Sequence, residues 1–381
     1  MENKIWDCIV VGAGIEGSNT ARYAASLGKK TLCLEQFPLP HDRGSSHGQS
    51  RITRHSYDQK YYADMMPEAF AMWEQIERMA NEKLFINCGC LTVDKPPYTE
   101  INHIKDNLAA NGIETKPVNN EELREKFRLN YPADRQGLLE PTGGMLLASK
   151  CLRATQSQFT KYGGVLRDNE TVTDIIPGDI VQVKTSKGSY ETRTLILTPG
   201  SWASSLLKPL EINLDLRPVR TSVFYWKVMQ SGFAAEDNYP CFIDHTTTGG
   251  VYGLPWYEYP GMIKFCGHGG PLIDPDSRDV VDHSYLRRMT SEYVSRHIMG
   301  VEAQPSIEEH CIYTETPDKD CILDCHPKFG NIAIGVGFSG SGFKISPVVG
   351  KILFQLASGL KPNYDMEPFK IARFKNSKSS L

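Results

Sequence analysis

Three features of the 381-residue chain predict an α/β fold made of two interleaved domains. First, the apolar run Trp6-Asp-Cys-Ile-Val-Val11, the glycine-rich GAGIEG, a helix over Ser18 to Leu27 and the strand Lys30-Thr-Leu-Cys-Leu34 make a β-α-β unit, the opening of a Rossmann-like domain. Second, the same rhythm returns late, at TLILTPG and again at NIAIGVGFSGSGFK, after long interruptions. Third, the pieces YWKV, GGVYGLPW and GMIKFCGHGG are rich in aromatic and β-forming residues and read as a separate, mixed sheet.

The elements follow in order. Gly28 closes the first helix. The stretch HDRGSSHGQSR (41–51) is too polar for a core element and long enough to wrap a ligand. Pro67 to Met79 reads as a helix with proline in its first turn and Phe70, Trp73 and Ile76 on one buried face. Residues 88–144 are mixed and loop-rich, with Pro96-Pro97 and an amphipathic 119–127, and read as an insertion of the second domain. Ser149 to Tyr162 is a helix stopped by Gly163-Gly164; a strand to Arg167, a hairpin around Lys187-Gly188 and the strand Thr194 to Leu197 follow. Asn331 to Ile334 is a further strand, and Ser346-Pro347 opens a last helix that ends at Gly359. The expected division is 1–85, 145–212 and 315–375 for the nucleotide domain, 86–144 and 213–314 for the second domain, and a tail from 376.

Composition narrows the function. Lys+Arg (42) and Asp+Glu (45) nearly cancel and no long basic run occurs, which argues against nucleic acid as a partner. No apolar run reaches the roughly 18 residues that cross a bilayer, and the N-terminal apolar stretch is too short for a signal peptide, so an intracellular chain without membrane contact is expected. The ten cysteines lack repeated spacing and read as free thiols. Cys88-Gly-Cys90 has no second pair nearby, so no metal site is expected.

GAGIEG places Gly12, Gly14 and Gly17 where a dinucleotide fingerprint needs them: one glycine for the turn, one for approach of the pyrophosphate, one for packing of helix on strand. Glu35, at the end of the second strand, is placed to bind ribose hydroxyls. Because the β-α repeats are interrupted and resume only later, FAD rather than a nicotinamide cofactor is expected.

GAGIEG, RGSSHGQSRITRHSY, TPGSW, YGLP, CIYTETPD and GFSGSGFK together resemble the monomeric sarcosine oxidase and N-methyltryptophan oxidase family over essentially the whole chain, and within it the peroxisomal sarcosine/pipecolate branch. The resemblance implies a glutathione-reductase-type, D-amino-acid-oxidase-like arrangement. It assigns Cys311 as a covalent 8α-thioether anchor for FAD and adds Arg43, Ser46, Val172, Gly200, Gly337 and Gly340 to the cofactor site. It further implies that Arg54 and Lys344 hold a substrate carboxylate, that Arg51 lies against the flavin, that Lys264 activates oxygen, and that His268 and Tyr252 line the active site. Lys264 also has a physical argument, since an ammonium among apolar strand residues is costly unless it faces a cofactor or water.

One position departs from the family pattern: Ser341 stands where histidine is common, which bears on substrate preference. The helix opened by Ser346-Pro347 is expected to begin just after Lys344 and to turn its positive end toward the flavin. The implied reaction is oxidation of sarcosine, L-pipecolate or L-proline to an imine with hydrogen peroxide as co-product. The alternatives are an FAD dehydrogenase with another acceptor and a non-catalytic FAD-binding module. A monomer is expected. Ser379-Ser380-Leu381, after Lys378, nearly matches a peroxisomal address read by the import receptor; otherwise the chain is cytoplasmic.

Overall fold

The computed structural model describes residues 5–247 and 250–374. Its first sheet has a parallel centre in the order 165–167, 31–34, 6–11, 188–197, 329–336. The strand 322–326 and the hairpin 172–185 pair antiparallel at its margins. Strand Trp6–Val11 is apolar on both faces because both are covered: Cys8 and Val10 pack into one hydrophobic cluster with the helices, and Ile9 and Val11 into another on the opposite side.

The hinge of the β-α-β unit is set by two close approaches. Gly12 has φ +96°, and a Cβ there would lie 2.3 Å from the Thr198 carbonyl oxygen; a Cβ on Gly17 would lie 1.8 Å from the Gly12 carbonyl oxygen. The helix that follows spans Ile15–Ser26, three residues earlier at its start than the sequence periodicity suggested, so Ile15 already belongs to its first turn.

The second sheet runs 307–315, 217–227, 262–267, 251–254, 241–244, 90–94, 136–140, 116–118. Every pairing is antiparallel except that between Cys241–Asp244 and Cys90–Asp94. Its core holds Phe224, Trp226, Phe242 and Phe265 against helix Ser284–His297. A small third sheet, 50–53, 144–147 and 85–87, stands at both margins of the 88–144 insertion and carries Arg51.

The last helix corrects the sequence reading. It spans Gly342–Ala357, so Lys344 lies inside its first turn and Pro347 inside the helix. Pro347 cannot donate to the carbonyl four residues back, that of Phe343. The Ser346 hydroxyl takes over, donating to the Phe343 carbonyl at 2.9 Å while accepting from Asn19 Nδ2 at 3.0 Å. Ser346 is therefore a repair of the helix rather than its cap.

Candidate active site

A cleft of about 680 Å³ opens along the C-terminal ends of the parallel strands. It brings together Gly12, Gly14, Glu35, Ser46, Arg51, Val172, Gly200, Gly337 and Gly340, all expected there from the sequence. At one end the Glu35 carboxylate accepts from the backbone N–H of Ala13 (2.9 Å) and of Phe37 (3.1 Å). These bonds, with His41 at 3.5 Å, hold it below the ordinary carboxylate range although burial, the largest single influence, opposes them. In the middle, the helix start at Ile15 donates its N–H to the Ser46 hydroxyl at 2.9 Å. Gly340, Gly342 and Phe343, at the start of the last helix, line the same cleft, so two helix N-termini face it.

Those features fit FAD. The carboxylate suits ribose hydroxyls, the helix starts and glycines suit a pyrophosphate, and Val11, Leu34, Val172, Trp202 and Phe343 give apolar walls for two ring systems.

Arg51 stands at the far end. Its Nη2 donates to the carbonyls of Ser45 (3.1 Å) and His47 (2.6 Å) and lies 3.7 Å from Cys311 Sγ. Burial works against the charge, but Cys311, Tyr313, Tyr252 and Tyr225 together outweigh it and raise the guanidinium above its usual value. Cys311 itself does not line the cleft; it sits behind Arg51, buried, on strand Ile307–Glu315. Tyr313, two residues on and on the same face of that strand, does line it.

Beyond Tyr313 lies a second group. The Tyr252 and Tyr313 hydroxyls are 3.3 Å apart and Tyr252 packs on His268 at 4.7 Å between ring centroids. Lys344 Nζ donates to the Gly340 carbonyl at 2.8 Å. The Arg54 guanidinium lies 4.3 Å over the Tyr57 ring, and Lys344 Nζ lies 5.7 Å from the same ring. Arg54, Lys344 and His268 have no ion pair among the described residues, and Arg54 Nε is buried without a partner. Burial, then Arg54, pushes Lys344 down to about 7, and enclosure followed by Lys344 and Arg54 pushes His268 below its usual value. Arg54 and Lys344, cations without a counter-ion among the described residues, make a site for an anion, and His268, kept neutral by burial and by these two charges, stands beside it.

Two expected site residues stand outside the lining of the cleft. Arg43 is not in the cleft lining: its guanidinium turns to the Asp276 carbonyl (3.4 Å) and Asp279 (3.7 Å), on a distant loop that crosses the 41–48 stretch. Lys264 is buried at 3 % exposure but needs neither cofactor nor water to offset its charge, because Glu258 lies 3.4 Å away and Ser50 accepts through both its hydroxyl (3.0 Å) and carbonyl (3.3 Å). Ser341 precedes the last helix as its cap residue, beside the group formed by Lys344 and Tyr57.

Sequence reasoning missed Tyr57, Tyr313 and Glu258. The first two could have been found from strand and segment position, since Tyr313 shares a face with Cys311 and Tyr57 follows Arg54 by one short turn. Cys88 and Cys90 are buried, with Cys88 Sγ 3.9 Å from Cys241 Sγ. Among the described residues one trio, His283, Glu308 and His310, has metal-ligand chemistry; Arg220 Nη2 lies 3.5 Å from His283 Nε2 and supplies the positive charge itself.

A sheet layered with helices around a dinucleotide cleft, beside a cationic pocket, defines a flavin-dependent oxidoreductase. The model of the family described as FAD dependent oxidoreductase matches residues 7–356. The chain is 42% identical to the peroxisomal sarcosine oxidase of Homo sapiens over 98% of this chain and 97% of that one. It is 31% identical to the monomeric sarcosine oxidase of Bacillus sp. (strain NS-129), with 97% of each covered. Among solved structures, NikD, an amino acid oxidase of nikkomycin biosynthesis, superposes with a TM-score of 0.82 at 22% identity, covering 96% of this chain and 97% of that one. The chain belongs to the FAD dependent oxidoreductase family, in its sarcosine oxidase branch.

The Lys344 shift makes the anion site sensitive to pH. A carboxylate favours the charged lysine, so binding is complete below about 7 and weakens as pH rises through it. Acetate titrated against the flavin-loaded protein should lose affinity by up to about tenfold per pH unit above that point, and Lys344→Met should bind weakly at every pH with a flat profile. A flat profile in the unsubstituted protein would remove Lys344 from the site.

Proposed function

We propose that the chain is an FAD-dependent oxidase of secondary-amine amino acids such as sarcosine, L-pipecolate and L-proline. The observation that carries this reading is the uncompensated pair Arg54 and Lys344, with neutral His268 beside it, immediately beyond the cofactor cleft. An amino acid supplies the missing negative charge through its carboxylate, and its amine is thereby directed toward the cleft. Bound FAD supplies the redox chemistry, taking two electrons from the amine and handing them to oxygen.

Each residue then has a task. Arg54 and Lys344 hold the carboxylate, with the Tyr57 ring as their floor. Tyr252, His268 and Tyr313 wall the space in which the amine carbon is presented. Lys264 provides fixed positive charge for the reduction of oxygen. In balance, the amine loses two electrons and two protons, oxygen gains both as hydrogen peroxide, and water splits the sarcosine imine to formaldehyde and glycine. Ser341, smaller than histidine, leaves room beside Lys344 for a ring such as that of pipecolate.

We further assign Cys311 as the flavin anchor, supported by its place 3.7 Å from Nη2 of Arg51, which lines the cofactor cleft. The domain division 1–85, 145–212 and 315–375 against 86–144 and 213–314 is supported by the strands: all eight of the first sheet fall in the former set, and those of the second fall in the latter but for Glu315. A monomer is in keeping with the name of the Bacillus relative. The peroxisome is in keeping with that of the human relative; the tripeptide Ser379-Ser380-Leu381 lies outside the described residues.

Three experiments test these assignments. Peroxide measured with sarcosine, L-pipecolate, L-proline and N-methyltryptophan should appear in amounts stoichiometric with amine consumed; flavin reduction without peroxide would turn the reading to a dehydrogenase. Acid-precipitated protein should retain its yellow colour in the pellet, and Cys311→Ala should release it to the supernatant, whereas colour released from the unsubstituted protein refutes the anchor. A fluorescent fusion with a free C-terminus should collect in peroxisomes, and a diffuse cytosolic signal would withdraw that placement.

A further inference from the structure

We infer that Glu258 is the positioning residue for Lys264, and that the two work as one buried ion pair which keeps the lysine charged and fixed beside Arg51. The inference rests on the oxidase reading for its functional half, but the pair itself stands on geometry.

Lys264 Nζ has three hydrogens, and the structure gives them three acceptors: Ser50 Oγ at 3.0 Å, the Ser50 carbonyl at 3.3 Å and Glu258 Oε1 at 3.4 Å. Both side chains are only 4% exposed. Burying an ammonium away from any counter-charge is costly, and the carboxylate is what offsets that cost here. Ser50 is the residue before Arg51 and pairs with Leu147 in the small sheet, so the pair is also tied to the strand that carries Arg51 to the cleft.

Glu258 reaches the lysine from outside its strand. It sits on the connection between strands Val251–Leu254 and Met262–Gly267, six residues before Lys264, and that loop folds back over the sheet. Its second oxygen, Oε2, is buried with no hydrogen-bond partner. Such an atom is costly in a role confined to packing, where glutamine would serve as well.

The other titratable groups facing the pair are Tyr225, Tyr259, Glu309, Cys241 and Cys266; the two thiols are pushed up, by burial first. Tyr225, whose ring lies 5.5 Å from Lys264 Nζ, is held neutral, its ionisation pushed far up by burial first and then by Glu258 and Glu309. Glu309 is already engaged by Tyr259 at 2.5 Å and Tyr225 at 3.3 Å. Arg51 is bound to backbone carbonyls and Cys311. Glu258 is thus the carboxylate left to Lys264.

The experiment uses the flavin-loaded protein and its variants Glu258→Gln, Lys264→Met and the double substitution. Without its counter-charge the buried lysine favours the neutral form. The thermal midpoint of E258Q should therefore fall most at pH 6–7, where the unfolded chain binds the proton and the folded one does not, and the deficit should shrink toward about pH 10. In the Lys264→Met background, Glu258→Gln should show no such pH dependence and should recover stability over Lys264→Met alone. Stopped-flow reoxidation by oxygen should fall as pH rises, by about tenfold per unit, and in E258Q that fall should begin at a lower pH than in the unsubstituted protein, while anaerobic reduction by the amine keeps its profile.

A pH-independent melting deficit in E258Q, or additive losses in the double variant, would overturn the pair. Loss of reduction and reoxidation together would overturn its selective link to oxygen. Should E258Q fail to fold, the double variant, which removes both charges, must fold; its failure would also overturn the inference. If no amine yields peroxide, the oxidase reading fails alone, because the melting experiment involves no turnover.

Discussion

Four cations brought into the interior govern this site: Arg51, Arg54, Lys264 and Lys344. Each must meet the cost of leaving water, and the structure meets it four ways. Arg51 spends its hydrogens on backbone carbonyls and a thiol. Lys264 has a buried carboxylate. Arg54 lies on an aromatic face and Lys344 on a single carbonyl, which leaves both short of negative charge. Of the two that are satisfied within the protein, Arg51 touches the proposed flavin anchor; the two that are not define where an acidic ligand belongs.

The fold makes this gradient possible by where it lays its sheets. The parallel sheet ends its strands at the cleft, as ligand-binding sheets of this kind do. The second sheet contributes Tyr252, Lys264, Cys311 and Tyr313 from strands whose pairing fixes register residue by residue, with Cys311 opposite Thr221 and Lys264 opposite both Tyr225 and Leu254. Immediately after the small third sheet, Glu140 accepts from the backbone of His55 at 2.9 Å and of Ser56 at 3.0 Å, which holds the segment following Arg54. Positions that must be accurate are thereby placed on paired strands or pinned by buried carboxylates.

Local features of this arrangement were legible in the sequence. Gly12, Gly17 and Glu35 could be placed because one turn, one helix and one strand determine their relation, and the motifs around Cys311 and Lys344 carried the rest through family resemblance. What could not be read depends on contacts between distant segments. Arg43 turns away because residues 276–279 fold across its loop. Glu258 meets Lys264 because a loop doubles back, and no spacing rule signals that. The start of the last helix was misplaced for the same reason: proline ordinarily marks a helix opening, and only a side chain paired with Asn19 allows it deeper inside.

That arrangement at Ser346 and Pro347 also constrains how the sequence can drift. The serine is needed because the proline withholds a hydrogen bond, and Asn19 holds the serine's oxygen from another helix. A lineage that first exchanged the proline for a residue with an N–H could afterwards vary the serine freely, whereas the reverse order passes through an orphaned carbonyl in the core. The three positions therefore form an epistatic set in which history, not residue preference alone, decides which substitutions are open.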